Sequence, residues 1–146
     1  MTAIAKIKTR MKEDPTLSKM ILTSKKDEIF LDLDADRKVD LGLMDSVGDG
    51  RVDTMAVDLT GDNEFNLYFM DTSQDDLPDV TFYDEQSNGD LRLVGIGSGI
   101  EGTLQQQAAV IYRALLADEY DSERLKKALA EMNSLVKNAR ATVKRD

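Results

Sequence analysis

Cysteine and histidine are both absent from this 146-residue chain. Without cysteine there are no disulfides, no thiolate metal sites and no thiol nucleophile. Without histidine the usual general base near neutral pH is gone, and so is the commonest transition-metal ligand. A metal held by these side chains must be a hard, oxygen-liking cation such as calcium or magnesium. Long apolar runs are missing too, since no window approaches the roughly 18 to 20 residues of a membrane span. The N-terminal stretch MTAIAKIKTRMKEDP scatters its lysines rather than placing them before an apolar run, which is not the pattern of a secretory signal. The expectation is a cytoplasmic protein or a trimmed extracellular segment, without a membrane partner. The length suits a single domain with a core that needs no covalent staples.

Acidic charge is in excess, and it is concentrated. From Asp27 to Asp90 there are 19 acidic and 3 basic residues, or −16, while the rest holds 9 acidic and 16 basic, or +7. Such a centre repels phosphates and argues against a nucleic-acid partner. It attracts cations or a basic protein surface. Attraction between the acidic middle and the basic ends explains the same division without any partner.

The acidic middle is periodic. Rows of thirteen residues, ADRKVDLGLMDSV, GDGRVDTMAVDLT, GDNEFNLYFMDTS, QDDLPDVTFYDEQ and SNGDLRLVGIGSG, run without gaps from Ala35 to Gly99. Three columns keep aspartate or asparagine in phase, the eleventh reading Asp45, Asp58, Asp71 and Asp84. This is an internal repeat. Each row carries about seven strand-like residues, rich in Val, Phe, Tyr, Leu and Met, and then a polar turn. About six connecting residues are too few for a parallel crossover, so consecutive strands are expected to be antiparallel neighbours.

If equivalent columns pair across each turn, odd columns share one face of the sheet and even columns the other. The odd face, with Leu41, Leu43, Ala56, Leu67 and Phe69, is then the expected core. The even face carries Met44, Met55, Tyr68, Met70 and Tyr83, residue types enriched at interfaces. It is the expected surface for a protein partner or a homodimer, unless a terminal helical region covers it.

Helices flank the repeat. Thr2 suits the cap of a first one carrying Ile4, Ile7 and Met11, and Asp14 before Pro15 opens a short turn through Leu17, Met20 and Ile21. Thr103 with Gln106 reads as a capping box for a helix bearing Leu104, Ala108, Ile111 and Leu115. A last helix from near Asp121 has Leu125, Ala128, Met132, Leu135, Ala139 and Val143 on one stripe and a basic end that includes Arg140. The predicted fold is α+β, an antiparallel meander of five or six strands with N-terminal and two C-terminal helices packed on it. Its parts are a helical segment over 1–26, the meander over 28–99 and a helical pair over 103–144.

Across the turns the aspartates fall into a nine-residue frame. Asp32, Asp34, Asp36 and Asp40 spell DxDxDxxxD; Asp45, Asp49 and Asp53 repeat it with Val47 third. Later copies place Asp58, Asp62 and Asn66, and then Asp71, Asp75 and Asp79, at the same positions. This resembles the DxDxDGxxD calcium loops of FG-GAP and VCBS-like repeats and of thrombospondin type 3 repeats, over residues 32 to 92. The resemblance implies ligands at positions one, three, five and nine plus the carbonyl at seven, which suits a cation that takes six to eight oxygens. Departures are present: Arg37 stands sixth in the first loop, where a left-handed turn is wanted, and Thr60 and Ser73 replace the third acid later. No loop has the twelfth-position glutamate of an EF-hand. Turn chemistry alone also favours Asp, Asn and Gly here, because their side chains or flexibility suit tight turns. It explains less well why two acids bracket each turn, since like charges repel unless something positive lies between them.

An enzyme is not expected, because the acids recur by duplication rather than converging with other groups in a cleft. The expected function is a non-catalytic structural or binding module whose turns hold calcium weakly, in the roughly millimolar to tens-of-micromolar range. The alternative is a metal-independent interaction module that uses the Met/Tyr face.

Overall fold

In the period from Leu41 to Asp53, four residues are strand and nine are loop. The computed structural model describes residues 2–59, 61, 63–72, 80–84, 92–94 and 99–145, and their side chains except at 92–94, 99–102 and 142–145. Its elements are α1 (Ala3–Glu13), α2 (Pro15–Ser18), β1 (Ile21–Lys25), β2 (Glu28–Leu31), β3 (Leu41–Met44), β4 (Thr54–Val57), β5 (Leu67–Met70), β6 (Val80–Tyr83), β7 (Arg92–Val94), α3 (Gly99–Leu116) and α4 (Ser122–Arg145). The strands form one antiparallel meander in chain order, β1 to β7. The α+β meander is as expected, but its strands are shorter than seven residues, because the aspartate frame of the loop 45–53 takes nine of the thirteen residues from Leu41 to Asp53.

Two boundaries differ from the sequence reading. Ile21–Lys25 is a strand rather than the tail of a helical segment ending at 26. It pairs with β2 through Lys25↔Glu28 around a two-residue turn, with an irregularity between Ile21 and Thr23. Helix α3 starts at Gly99, so Thr103 lies inside it and not at its cap.

The faces also differ. The pairs Leu41↔Val57, Leu67↔Val57, Leu67↔Tyr83 and Leu41↔Leu31 each join two odd-numbered residues. Side chains opposite each other share a face, so from β2 to β6 the face follows residue number. The period is an odd number, so equivalent columns alternate sides. The predicted Met/Tyr surface is therefore split. Met55 is only 4% exposed and Tyr83 packs against the core, while Met44, Tyr68 and Met70 stand on the even-numbered face.

The odd-numbered face meets the helices. Ile29, Leu31, Leu41, Leu43, Val57, Leu67 and Phe69 are buried with Leu104, Ile111 and Leu115 of α3 and Leu125, Leu129, Met132 and Val136 of α4. Burying each such side chain contributes about 1.5–3 kcal/mol. Two glutamines of α3 are buried among them: Gln107 donates to the Ala128 carbonyl at 2.9 Å, and Gln105 accepts from the Thr81 hydroxyl.

At the N-terminus, Thr2 caps α1 by accepting from the Ala5 N–H. Ile4, Ile7 and Met11 are buried on one helical face. Lys6 and Arg10 donate to the last carbonyls of α3, at Leu116 and Leu115, where positive charge suits the helix dipole. Asp14 caps α2 and also accepts from the hydroxyls of Tyr120 and Ser122. The Ser122 bond, opposed by burial and aided by the Thr16 N–H and Lys126, holds the Asp14 carboxyl below its ordinary range.

On the even-numbered face Gly42 has a packing role. A Cβ there would lie 2.5 Å from the Phe65 ring. Gly42→Ala is expected to push that ring aside and to cost about 1–3 kcal/mol, as overpacking does. Urea unfolding of the variant checks the cost.

Candidate metal centre

Three loops repeat one hydrogen-bond scheme. In the loop 45–53, Asp45 Oδ1 accepts from the N–H groups of Gly48 and Asp49, and its Oδ2 accepts from Gly50 at 2.6 Å. In the loop 32–40, Asp32 Oδ1 accepts from Asp34 and Asp36 and its Oδ2 from Arg37 at 2.7 Å. Asp58 likewise accepts from Gly61 and Asn63, both at 2.8 Å. The ninth residue closes each loop onto the second. Asp40 accepts from the Leu33 N–H at 2.7 Å, Asp53 from Ser46 at 3.0 Å, and Asn66 from Leu59 at 2.7 Å.

The turns that permit this are left-handed at positions four and six. Ala35 and Arg37 have φ of 62° and 66°, Gly48 and Gly50 have 74° and 86°, and Gly61 and Asn63 have 78° and 69°. Arg37 therefore takes the left-handed turn that the frame assigns to glycine, although side-chained residues adopt it at a cost.

Positions one and nine are thus accounted for by the fold itself. Asn66 does the ninth residue's work without a charge, so that position needs an oxygen and not an anion. Positions three and five differ. Asp36 and Asp49 each accept from the N–H two residues on, at 2.9 and 3.0 Å. Asp34 Oδ1 is buried and has no hydrogen-bond partner.

Two groups of carboxylates could hold a metal ion. Asp32, Asp34, Asp36 and Asp40 each offer one oxygen, all within 4.8 Å of one another, and Asp45, Asp49 and Asp53 do the same in the next loop. Burial, then the neighbouring acids Asp36, Asp40 and Asp32, pushes the Asp34 carboxyl up to about 6. Burial acts the same way on Asp32 and Asp45, but backbone N–H groups outweigh it, chiefly that of Arg37 for Asp32 and that of Gly50 for Asp45. Both carboxyls lie below their ordinary value.

Arg140 is the functional residue that the sequence reading left at a helix end. Its Nη2 donates to Asp40 Oδ1 at 2.7 Å, and its Nε donates to the Asp58 carbonyl at 2.9 Å. The same guanidinium lies 3.9 Å from Asp34 Oδ2 and from Asp58 Oδ2. It ties α4 to two loops and supplies positive charge between them. The available signal was spacing: Arg140 follows Val136 by four residues, on the side of α4 that meets the sheet.

The remaining sequence-predicted ligands divide. Asp58 belongs to the Arg140 contact. The Asp71 N–H donates to the Asp53 carbonyl at 2.8 Å, which extends the β4–β5 ladder by one residue. Asp62, Asp75 and Asp79 lie outside the described residues. No family model, no curated protein and no solved structure matches this chain. No helix is long and apolar enough to cross a membrane among the described residues.

Proposed function

We propose that the loop 32–40 is a calcium site in a non-catalytic structural or binding module, with the loop 45–53 a second and poorer one. The observation that carries this reading is Asp34. The loop's own hydrogen bonds explain Asp32, Asp40 and the ninth-position oxygens, but they leave a buried Asp34 oxygen without a donor among three other carboxylates. A cation between those oxygens supplies the missing partner. All candidate ligands are oxygens, which suits calcium, and irregular spacing suits calcium better than magnesium with its strict octahedral demand.

Arg140 already offsets one of the four charges, so the loop keeps a formal −3 for an incoming ion. Loop 45–53 has three acids, and each of them already accepts an N–H bond. Its third position is Val47, which is 70% exposed. That donor set is the poorer one. The arrangement also explains why binding should be weak, since three of the four carboxylates of the loop 32–40 are already engaged by backbone N–H groups.

Calorimetric titration of the EDTA-treated protein tests the proposal. Calcium is expected to bind in the micromolar to millimolar range. Asp34→Asn should weaken the tighter site on the order of tenfold or more, since even outer-shell partners of metal sites carry that much affinity. Binding unaffected by Asp34→Asn would move the site elsewhere, and no heat of binding would remove it.

A further inference from the structure

On the face of the sheet that points away from the helices, three aromatic rings form a corner. Phe65 stands edge-on to Phe30 with centroids 5.0 Å apart and nearly perpendicular planes, at 85°. It meets Tyr68 at 6.4 Å and 71°. The missing side chain at Gly42 is what lets the Phe65 ring lie down on the sheet. Beside this corner opens a cavity of about 540 Å³, lined by the three rings and by Glu64, Asp84 and Arg37. That volume is within the range of small-molecule sites.

The charges there are unequal. Among the described lining residues Glu64 and Asp84 outnumber Arg37, and Asp84 is only 3% exposed, so water screens it little. Burial first, and then Asp84 and Glu64, push the Tyr68 phenol above its ordinary value, as a region of negative potential would. Ring faces are negative as well. Both carboxylates are engaged within the protein. What reaches the ring is their charge, which adds to burial in raising the Tyr68 phenol. The ligand that such a site favours carries a positive charge and packs methyl groups on ring faces.

We propose that this cavity binds a small quaternary ammonium ion. The site borders the acidic loop through Arg37, but it does not rest on the calcium reading. The test is an NMR titration of the nitrogen-15-labelled full chain with choline, and in parallel with its uncharged carbon isostere. Choline is expected to give saturable shifts at the amides of Phe30, Phe65 and Tyr68, and the isostere much smaller ones. Tyr68→Leu should weaken choline about 5- to 30-fold, the range of a single cation–π contact. Glu64→Gln, at an exposed position that leaves the fold intact, should also weaken it. Equal shifts from the neutral isostere, choline binding unchanged in both variants, or no shifts at these residues would each overturn the proposal.

Discussion

Arg140→Ala is expected to destabilise the protein by about 3–5 kcal/mol, the usual result of removing one partner from a buried ion pair. The expectation follows from what surrounds the guanidinium. Asp40 is 1% exposed and Asp58 is fully buried, and both lie against Arg140. Removing the side chain leaves these carboxylates, and Asp34 beside them, without their positive neighbour. It also frees the Asp58 carbonyl. For a chain of this length the loss corresponds to a melting point lower by roughly 10 °C or more. Arg140→Lys should recover part of it, because one ammonium cannot reach both loops as the planar guanidinium does. Urea unfolding of the three proteins in EDTA measures the difference. A loss below about 1 kcal/mol, typical of a surface pair, would mean that Arg140 does not hold the loops. The same substitution should tighten calcium binding, since it removes a competing positive charge.

Met55→Lys is expected to prevent stable folding, whereas Met44→Lys should cost about 1 kcal/mol or less. Both methionines fall in even columns of the repeat, and a column rule treats them alike. The observed register does not. Met55 lies opposite Leu43 and Phe69 on the face that packs with the helices. An unpaired charge buried there carries a cost in the exceptional range above about 4–5 kcal/mol. Met44 lies opposite Glu28 and Thr54, is partly exposed, and would gain an acidic neighbour for the new ammonium. Circular dichroism of the two variants decides the matter. Equal loss in both would contradict the face assignment.

Much of the architecture was legible in the residues. The in-phase aspartates located the turns and required antiparallel neighbours, because the connections were too short for a crossover. Thr2 and Asp14 marked helix starts that the structure places there. The stripe of Leu125, Ala128, Met132 and Ala139 found the buried side of α4, and Leu129 and Val136 complete it. What failed was register. A column rule assumes that the repeat operation preserves the sheet face, but a reversal of direction with an odd period exchanges the faces. No property of Met55 or Tyr83 alone reveals that.

The site was partly legible for a related reason. The DxDxD spacing found the cluster around Asp34, since local frames fix which side chains turn inward. It could not separate carboxylates that cap backbone N–H groups, such as Asp32 and Asp45, from one left without a donor. That distinction depends on three-dimensional accounting of donors. Arg140 lies more than eighty residues beyond Asp40 and Asp58 in the chain, and contacts over that separation carry no local spacing. Asp58 and Asp40 could therefore be named as acids from the sequence, but not as its partners.

Thermal melting in excess EDTA and in calcium, with magnesium as control, tests the cation site most directly. Calcium at about 100 times its dissociation constant adds about 2.7 kcal/mol, which corresponds to a rise of about 5 to 11 °C. That rise should be specific to calcium and largely lost in Asp34→Asn. Identical melts in EDTA and calcium would contradict the account, leaving the recurring aspartates as turn caps whose charge is balanced from within the chain.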